Sequence, residues 1–287
     1  MSGVALAALS ALAWGASDFL GGRQTTRSSA AAVLLVAHVA GLCAVVPVAL
    51  LVGRGAPAPT VLVAAALGGV AELVGVAAVY TGLAVAPARI VAPVAAAAPS
   101  VPLAVDVVLG ERPSGATAVT ILVVIVGLVA TCAAGPQPVA RSSRARGIRL
   151  GAVAALGFGM SFVAIDLAVG ASGHVGSIGT TAGVVAAGRV TTVLILVAWV
   201  WHGERRVPSV ADAPVAGAVG LLIVAGDVAF AAAVGMGSSG VASAIATCHT
   251  VVTIALARVI QHERLTAAQT GGIATVVGGV AVLAAVA

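Results

Sequence analysis

Ten apolar stretches, separated by short polar breaks, dominate this chain of 287 residues. A helix needs about 20 apolar residues to cross the hydrocarbon core of a bilayer. Only 8% of the residues are charged, whereas a soluble domain carries roughly 25%. The sequence therefore predicts an all-α integral membrane protein with ten transmembrane helices. The predicted spans are residues 3–22, 29–53, 60–84, 88–109, 115–134, 148–170, 176–201, 210–235, 239–260 and 268–287.

The second half of the chain repeats the first. The segment "VDVVLGERPSGATAVTILVVIVGLVATCAA" from Val105 matches "ARVIQHERLTAAQTGGIATVVGGVAVLAAVA" from Ala257, so that Glu111 aligns with Glu263. Each half holds five spans, an odd number, and the second half must therefore enter the membrane from the opposite face. The sequence predicts two inverted five-helix repeats, a construction common among secondary transporters. The repeats are residues 1–135 and 148–287, joined by a basic, proline-containing linker at 136–147.

Several short motifs occur in a characteristic order along these repeats. They are "LAWG" ending at Gly15, "LGERPS" with its echo "HERLT", and the arginine of "AAGRVTTVLILVAW". With the ten-helix plan, they resemble the EamA branch of the drug/metabolite transporter superfamily. The resemblance implies a membrane transporter, since members of that family mostly export amino acids, other metabolites or drugs. The chain departs from the pattern at His38 in span 2 and at Val251, which stands opposite Pro99.

Five acidic residues lie inside predicted spans: Asp18, Glu72, Asp106, Asp166 and Asp227. An acid at the centre of a membrane helix costs on the order of 2.5–3.5 kcal/mol, so each is a functional candidate. Glu72 lies near the middle of span 3, and Asp227 aligns with Gly75, about one turn from the equivalent of Glu72. We interpret both as acids of a central transport cavity. The alternative is that they are hydrogen-bonded carboxyls that hold helices together.

Three further acids lie nearer the ends of their spans. Asp18 is four residues after Trp14, so the two share a helix face and could form one wall of the cavity. Alternatively, Asp18 reaches water or Arg23 at the membrane surface. Asp166 has a comparable position in span 6, with the same two interpretations. We expect Asp106 to be a snorkelling or capping residue at the membrane edge.

The spans also hold basic and polar candidates. Arg189 is well inside span 7 and needs a carboxylate partner or water, and Asp166 and Asp227 are the predicted partners. Both a structural role and a substrate contact are open for it. His38 and His249 could relay protons, or could be hydrogen-bonded packing residues. We include His249 and Tyr80 in the predicted substrate and proton pathway.

Prolines and glycines predict how two of the spans pack. Span 4 should be kinked beside the transport path, because each proline removes a backbone donor. Its prolines are Pro93, Pro99 and Pro102. Span 10 should contact span 5 through a stripe of small residues. The glycines of this stripe are Gly271, Gly272, Gly278 and Gly279.

These features predict a secondary transporter that works by alternating access and exports a small polar or cationic metabolite, an amino acid or a drug. The chain contains no lysine, which excludes a Walker A site and ATP as the energy source within this chain. A proton gradient acting through Glu72 or Asp227 could drive transport, and facilitated diffusion is also open. No cofactor or metal site is expected. The alternatives are a channel, a non-transporting scaffold or an intramembrane enzyme, although no HExxH, GxSxG or paired-aspartate motif is present.

The predicted location is the plasma membrane of a prokaryote, with the lipid bilayer and a small molecule as partners, no nucleic acid, and a monomeric or homodimeric state. The orientation has two conflicting indications. Connectors after the odd-numbered spans hold most of the arginines, and by the positive-inside rule they are cytoplasmic and both termini are outside. The family resemblance implies cytoplasmic termini instead.

Overall fold

The computed structural model describes residues 2–25, 28–53, 57–86, 88–110, 114–132, 140–172, 177–202, 213–237, 239–260 and 266–286. In these ranges every regular element is an α-helix, and no strand occurs. The helices are α1 Gly3–Thr25, α2 Ala30–Val52, α3 Pro59–Val85, α4 Ala88–Ala95, α5 Ser100–Val108, α6 Gly115–Cys132, α7 Arg141–Ala171, α8 Ile178–His202, α9 Ala213–Val234, α10 Ser239–Ala246, α11 His249–Ile260 and α12 Ala267–Val286.

Six of these helices are long and apolar enough to cross a membrane: α1, α2, α3, α7, α8 and α9. They correspond to predicted spans 1, 2, 3, 6, 7 and 8. Large aliphatic side chains are exposed on the helices, with Leu51 and Val108 each 84% exposed. A soluble protein rarely exposes so many of them, whereas lipid tails solvate them well. The all-α membrane fold is thus confirmed, with six spans rather than ten identified by length and composition.

The sequence predicted one helix for span 4 and one for span 9. In the structure each of these spans is divided into two helices. Residues 96–99 separate α4 from α5, and residues 247–248 separate α10 from α11. Pro99, which has no N–H to donate, explains the first break. No proline lies at the second, where the Thr247 hydroxyl donates to the Ser243 carbonyl at 2.8 Å. In the repeat register residue 96 aligns with residue 248, so the two halves break at equivalent places.

The linker is also partly helical, contrary to the prediction of a connector. α7 begins at Arg141 rather than at 148, and the linker residues 136–139 lie outside the described ranges. The Ser143 hydroxyl donates to the Val85 carbonyl at the end of α3 (2.5 Å). A Cβ on Gly147 would lie 2.7 Å from the Ala86 Cβ. The start of α7 is therefore held against the end of α3.

The described chain divides into two compact units. The first is Met1–Val70 with Ala164–Met236, and the second is Ala71–Val163 with Gly237–Ala287. In the first unit α1 packs on α9, and α2 packs on both α8 and α9. A buried cluster joins Val45 of α2, Val185 of α8 and Val224 of α9. This unit contains the polar cluster described in the next section.

In the second unit α6 packs on α12, as the predicted small-residue contact between spans 5 and 10 requires. A Cβ on Gly127 would lie 2.9 Å from Val276 Cγ2, and one on Gly279 would lie 2.6 Å from Val124 Cγ2. The predicted glycine stripe is only half correct, however. Gly279 is buried, whereas Gly278 is exposed with nothing within 4 Å of an added Cβ.

Gly279→Leu tests this helix contact, and Gly278→Leu is its matched control. The first substitution forces side-chain atoms into Val124 and should destabilise the folded protein by about 1–3 kcal/mol, the usual cost of overpacking. The second adds the same atoms to an open surface and should leave the unfolding temperature close to that of the parent. Thermal unfolding of the two purified variants in detergent measures the difference. Equal melting temperatures would show that α12 does not pack on α6 through Gly279.

Candidate functional site

A buried ion pair lies at the centre of the first unit. The Arg189 guanidinium of α8 donates through Nη2 to Oδ2 of Asp227 on α9. The two residues are 2% and 4% exposed. Asp227 was one of the two partners predicted for Arg189, and the structure brings these two together. The other, Asp166, is half-buried on α7.

Trp14 completes the coordination of this carboxylate. Its indole Nε1–H donates to Asp227 Oδ1 at 3.0 Å. The Trp14 and Phe230 rings lie with their centroids 5.6 Å apart, tilted by 38°. Both carboxylate oxygens therefore have a donor, and the charges of Arg189 and Asp227 offset each other. We name the set Trp14, Arg189 and Asp227 the ion-pair cluster.

Glycines at the helix crossings allow these side chains to meet. A Cβ on Gly226 would lie 2.5 Å from Trp14 Nε1, so only glycine leaves room for the indole beside Asp227. A Cβ on Gly69 of α3 would lie 2.5 Å from the carbonyl oxygen of Gly188, next to Arg189. Small residues permit close backbone approach between membrane helices, and here they place long polar side chains in the narrow space between four helices.

His38 of α2 is another buried polar residue of the first unit. The predicted substrate and proton pathway included His249 but not His38. It is 2% exposed, and its Nδ1–H donates to the Leu34 carbonyl at 2.8 Å. A Cβ on Gly41 would lie 2.6 Å from Val224 Cγ2, which shows how closely α2 approaches α9. The departure from the family pattern at position 38 was the signal that could have identified this residue.

The other predicted pathway residues are divided between the two units. Asp18 is half-buried on α1, in the same unit as the ion-pair cluster. Glu72 and Tyr80 are half-buried on α3, and His249 begins α11; all three belong to the second unit. Asp227 belongs to the first unit, so the two acids predicted to share one cavity, Glu72 and Asp227, belong to different units.

The interpretation of Asp106 as a residue that reaches water at the membrane edge is wrong. Asp106 of α5 is 9% exposed, and its Oδ1 accepts a hydrogen bond from the Ser239 hydroxyl of α10 at 3.3 Å. Its neighbours Val107 and Val108 are exposed, whereas Pro102, one turn earlier, is buried with it.

Metal ligation finds no support in the described part of the chain. There, no group of three histidine, cysteine or acidic side chains is close enough to hold a metal ion. The chemistry that the ion-pair cluster offers is electrostatic: a fixed positive group beside a fixed negative one, with an aromatic ring against the negative one.

Comparison with known proteins identifies the family of the chain. The model of the EamA-like transporter family matches residues 1–132 and 145–285. The chain therefore belongs to the EamA-like transporter family, within the drug/metabolite transporter superfamily, as the sequence motifs predicted. It is accordingly a multi-pass membrane transporter. Members of the family are transporters rather than enzymes.

The fold is shared with a protein of known structure. A structure titled "Crystal structure of protein" is 18% identical, with a TM-score of 0.79 over 99% of each chain. At this identity the likeness concerns the fold alone. Comparison with curated proteins gave no match.

Trp14→Phe tests the contribution of the indole N–H to the ion-pair cluster. The substitution keeps an aromatic ring beside Phe230 but removes the donor to Asp227. A hydrogen bond to a charged group contributes about 1.5–3 kcal/mol, and we expect the free energy of unfolding to fall by that amount. Trp201→Phe, at a residue that is 77% exposed, is the control and should change little. Chemical unfolding followed by circular dichroism compares the two, and an equal effect of both substitutions would contradict the assignment.

Proposed function

We propose that this protein is a secondary transporter that exports a small zwitterionic metabolite of the amino-acid type, by alternating access, across a prokaryotic plasma membrane. The ion-pair cluster forms the binding site for the two charged ends of the molecule. The proposal includes ten membrane spans arranged as two inverted five-helix repeats, with residues 1–135 and 148–287 as the repeats.

The observation that carries this proposal is the buried pair of Arg189 and Asp227. A lone charge inside a membrane protein is costly, whereas two opposite charges side by side offset each other. A zwitterion carries the same two charges at a similar separation. Its carboxylate can replace Asp227 at the guanidinium while its ammonium group replaces Arg189 at the carboxylate. Each protein charge then keeps an opposite partner when the substrate binds, which neither a cation nor an anion alone would provide.

The helix breaks support the arrangement as two repeats. Many secondary transporters bind their substrates where spanning helices are interrupted, because the interruption leaves backbone groups available near the middle of the membrane. Here the break between α4 and α5 aligns, in the repeat register, with the break between α10 and α11. The two ranges of the family match, 1–132 and 145–285, also agree with the proposed repeats.

A channel is the second candidate, since fixed charges also line selective pores. A carrier exposes its site to one side at a time, so its flux saturates with substrate and it exchanges labelled for unlabelled substrate. Saturable counterflow in proteoliposomes therefore favours the carrier, and flux that rises linearly with concentration favours the channel.

The decisive variant is the double substitution Arg189→Gln with Asp227→Asn. Removal of one partner leaves an uncompensated buried charge and should cost about 3–5 kcal/mol, so each single variant is expected to fold poorly. The double variant removes both charges, retains hydrogen-bonding groups of similar size, and should unfold near the temperature of the parent. If the pair binds substrate, the double variant loses transport of L-alanine despite being folded. Transport equal to that of the parent would show that the pair is only structural.

Glu72→Gln tests whether protons drive the transport. The substitution keeps the size and hydrogen-bonding capacity of the side chain but removes its titration. If Glu72 carries the coupling proton, the variant should still exchange substrate but should no longer accumulate it in response to a pH gradient. Accumulation in proteoliposomes with and without an imposed gradient measures this. Asp18→Asn is the comparison, because it should weaken substrate binding with coupling retained, and unchanged coupling in Glu72→Gln would assign Glu72 a structural role.

A further inference from the structure

One ring nitrogen of His38, in the first unit, is buried without a hydrogen-bond partner among the described residues. Its ring is 2% exposed, and its Nδ1–H donates to the Leu34 carbonyl. The other ring nitrogen, Nε2, is buried and has no hydrogen-bond partner among the residues that the structure describes. Buried polar atoms are normally hydrogen-bonded, and the cost of leaving one unpaired is highest inside a membrane protein. The atom therefore points to a bound molecule.

The packing of the helices places His38 in the same part of the first unit as the ion-pair cluster. Val45 of α2 packs in one cluster with Val185 and Ala186 of α8. His38 is two turns before Val45, and Arg189 is one turn after Val185. On α9, Asp227 is three residues after Val224, whose Cγ2 would lie 2.6 Å from a Cβ on Gly41, three residues after His38. Each of α1, α2, α8 and α9 thus contributes at least one polar side chain to this region.

A second buried polar atom without a hydrogen-bond partner in the described ranges lies on α1. The Ser10 hydroxyl is buried, the residue is 0% exposed, and the oxygen has no hydrogen-bond partner in the described ranges. Ser10 is four residues before Trp14, and the two therefore share a face of α1. Both oxygens of the Asp227 carboxylate have donors within the ion-pair cluster, whereas the Ser10 hydroxyl of α1 and His38 Nε2 of α2 have no hydrogen-bond partner in the described ranges.

We propose that His38 Nε2 belongs to the binding site and accepts a hydrogen bond from an N–H group of the transported molecule. The inference rests on the proposed function and specifies the recognition of the ammonium end. With Nδ1–H donated to Leu34, a neutral imidazole offers only an acceptor at Nε2. The ammonium group of an amino acid has three N–H donors, enough for both Asp227 and His38. A fully methylated ammonium has the same charge and no donor, and His38 therefore distinguishes the two.

The test compares transport of labelled L-alanine with transport of its N,N,N-trimethyl derivative by the full-length protein in proteoliposomes. Both compounds are zwitterions, and only the first has N–H groups. Two variants are matched in length: glutamine offers an amide that can accept as well as donate a hydrogen bond, whereas methionine has only a weakly accepting thioether. We expect the parent and His38→Gln to prefer L-alanine in kcat/KM. In His38→Met this preference should fall about tenfold, the effect of one hydrogen bond, while the part that depends on Asp227 remains.

Each outcome decides between the possibilities. A preference for L-alanine in folded His38→Met as large as in the parent would overturn the role of His38 while leaving the proposed function intact. If His38 holds only a structural water, the substitutions lower the melting temperature without changing the preference, and the proposal is again wrong. Absence of transport of both compounds by the parent would refute the proposed substrate class, and this inference with it. Should neither variant fold, the parent decides alone, because equal transport of the two compounds excludes an N–H acceptor.

Discussion

The burial of an arginine among apolar helices is the constraint on which the first unit depends. Arg189 is almost completely enclosed, and a guanidinium cannot be neutralised by losing its proton. It therefore needs an acceptor wherever it is placed, and Asp227 provides it. That carboxylate in turn needs further donors, and Trp14 supplies one of them. One charge thus determines the side chains of three helices, and the glycines at the crossings follow from the space that those side chains require.

The long apolar helices could be predicted from the sequence because their signal is local. A run of about 20 apolar residues specifies a membrane helix regardless of its neighbours, and six of the predicted spans were recognised in this way. The break after α10 could not be predicted, because it contains no proline. There the Thr247 hydroxyl donates to the Ser243 carbonyl, but the Thr247 N–H donates to the same carbonyl, and Thr192 and Thr253 make the same kind of hydroxyl bond inside continuous helices. A threonine in the sequence therefore does not indicate where a helix breaks.

The partner of Arg189 could be predicted from the sequence, because a buried charge requires an opposite charge. The contacts of His38 and Asp106 could not be predicted, because they depend on how the helices pack. The cost of burying Arg189 required an acid, and Asp227 was among the two considered. The surroundings of His38 and Asp106 depend on helices far away in the sequence. Ser239, which donates to Asp106, is separated from it by more than a hundred positions, and no spacing along one helix shows that contact.

The early start of α7 limits how this helix can move. With 31 residues it is about 46 Å long, whereas the hydrocarbon core is only about 30 Å thick. Its first turns hold exposed arginines: Arg141, Arg144, Arg146 and Arg149. Translation of the helix along the membrane normal would carry these charges into the hydrocarbon, at a cost of order 2.5–3.5 kcal/mol for each one that reached the centre. Tilting of α7 about this end would keep the arginines in the headgroup layer, so tilting costs less free energy than displacement of the helix through the bilayer.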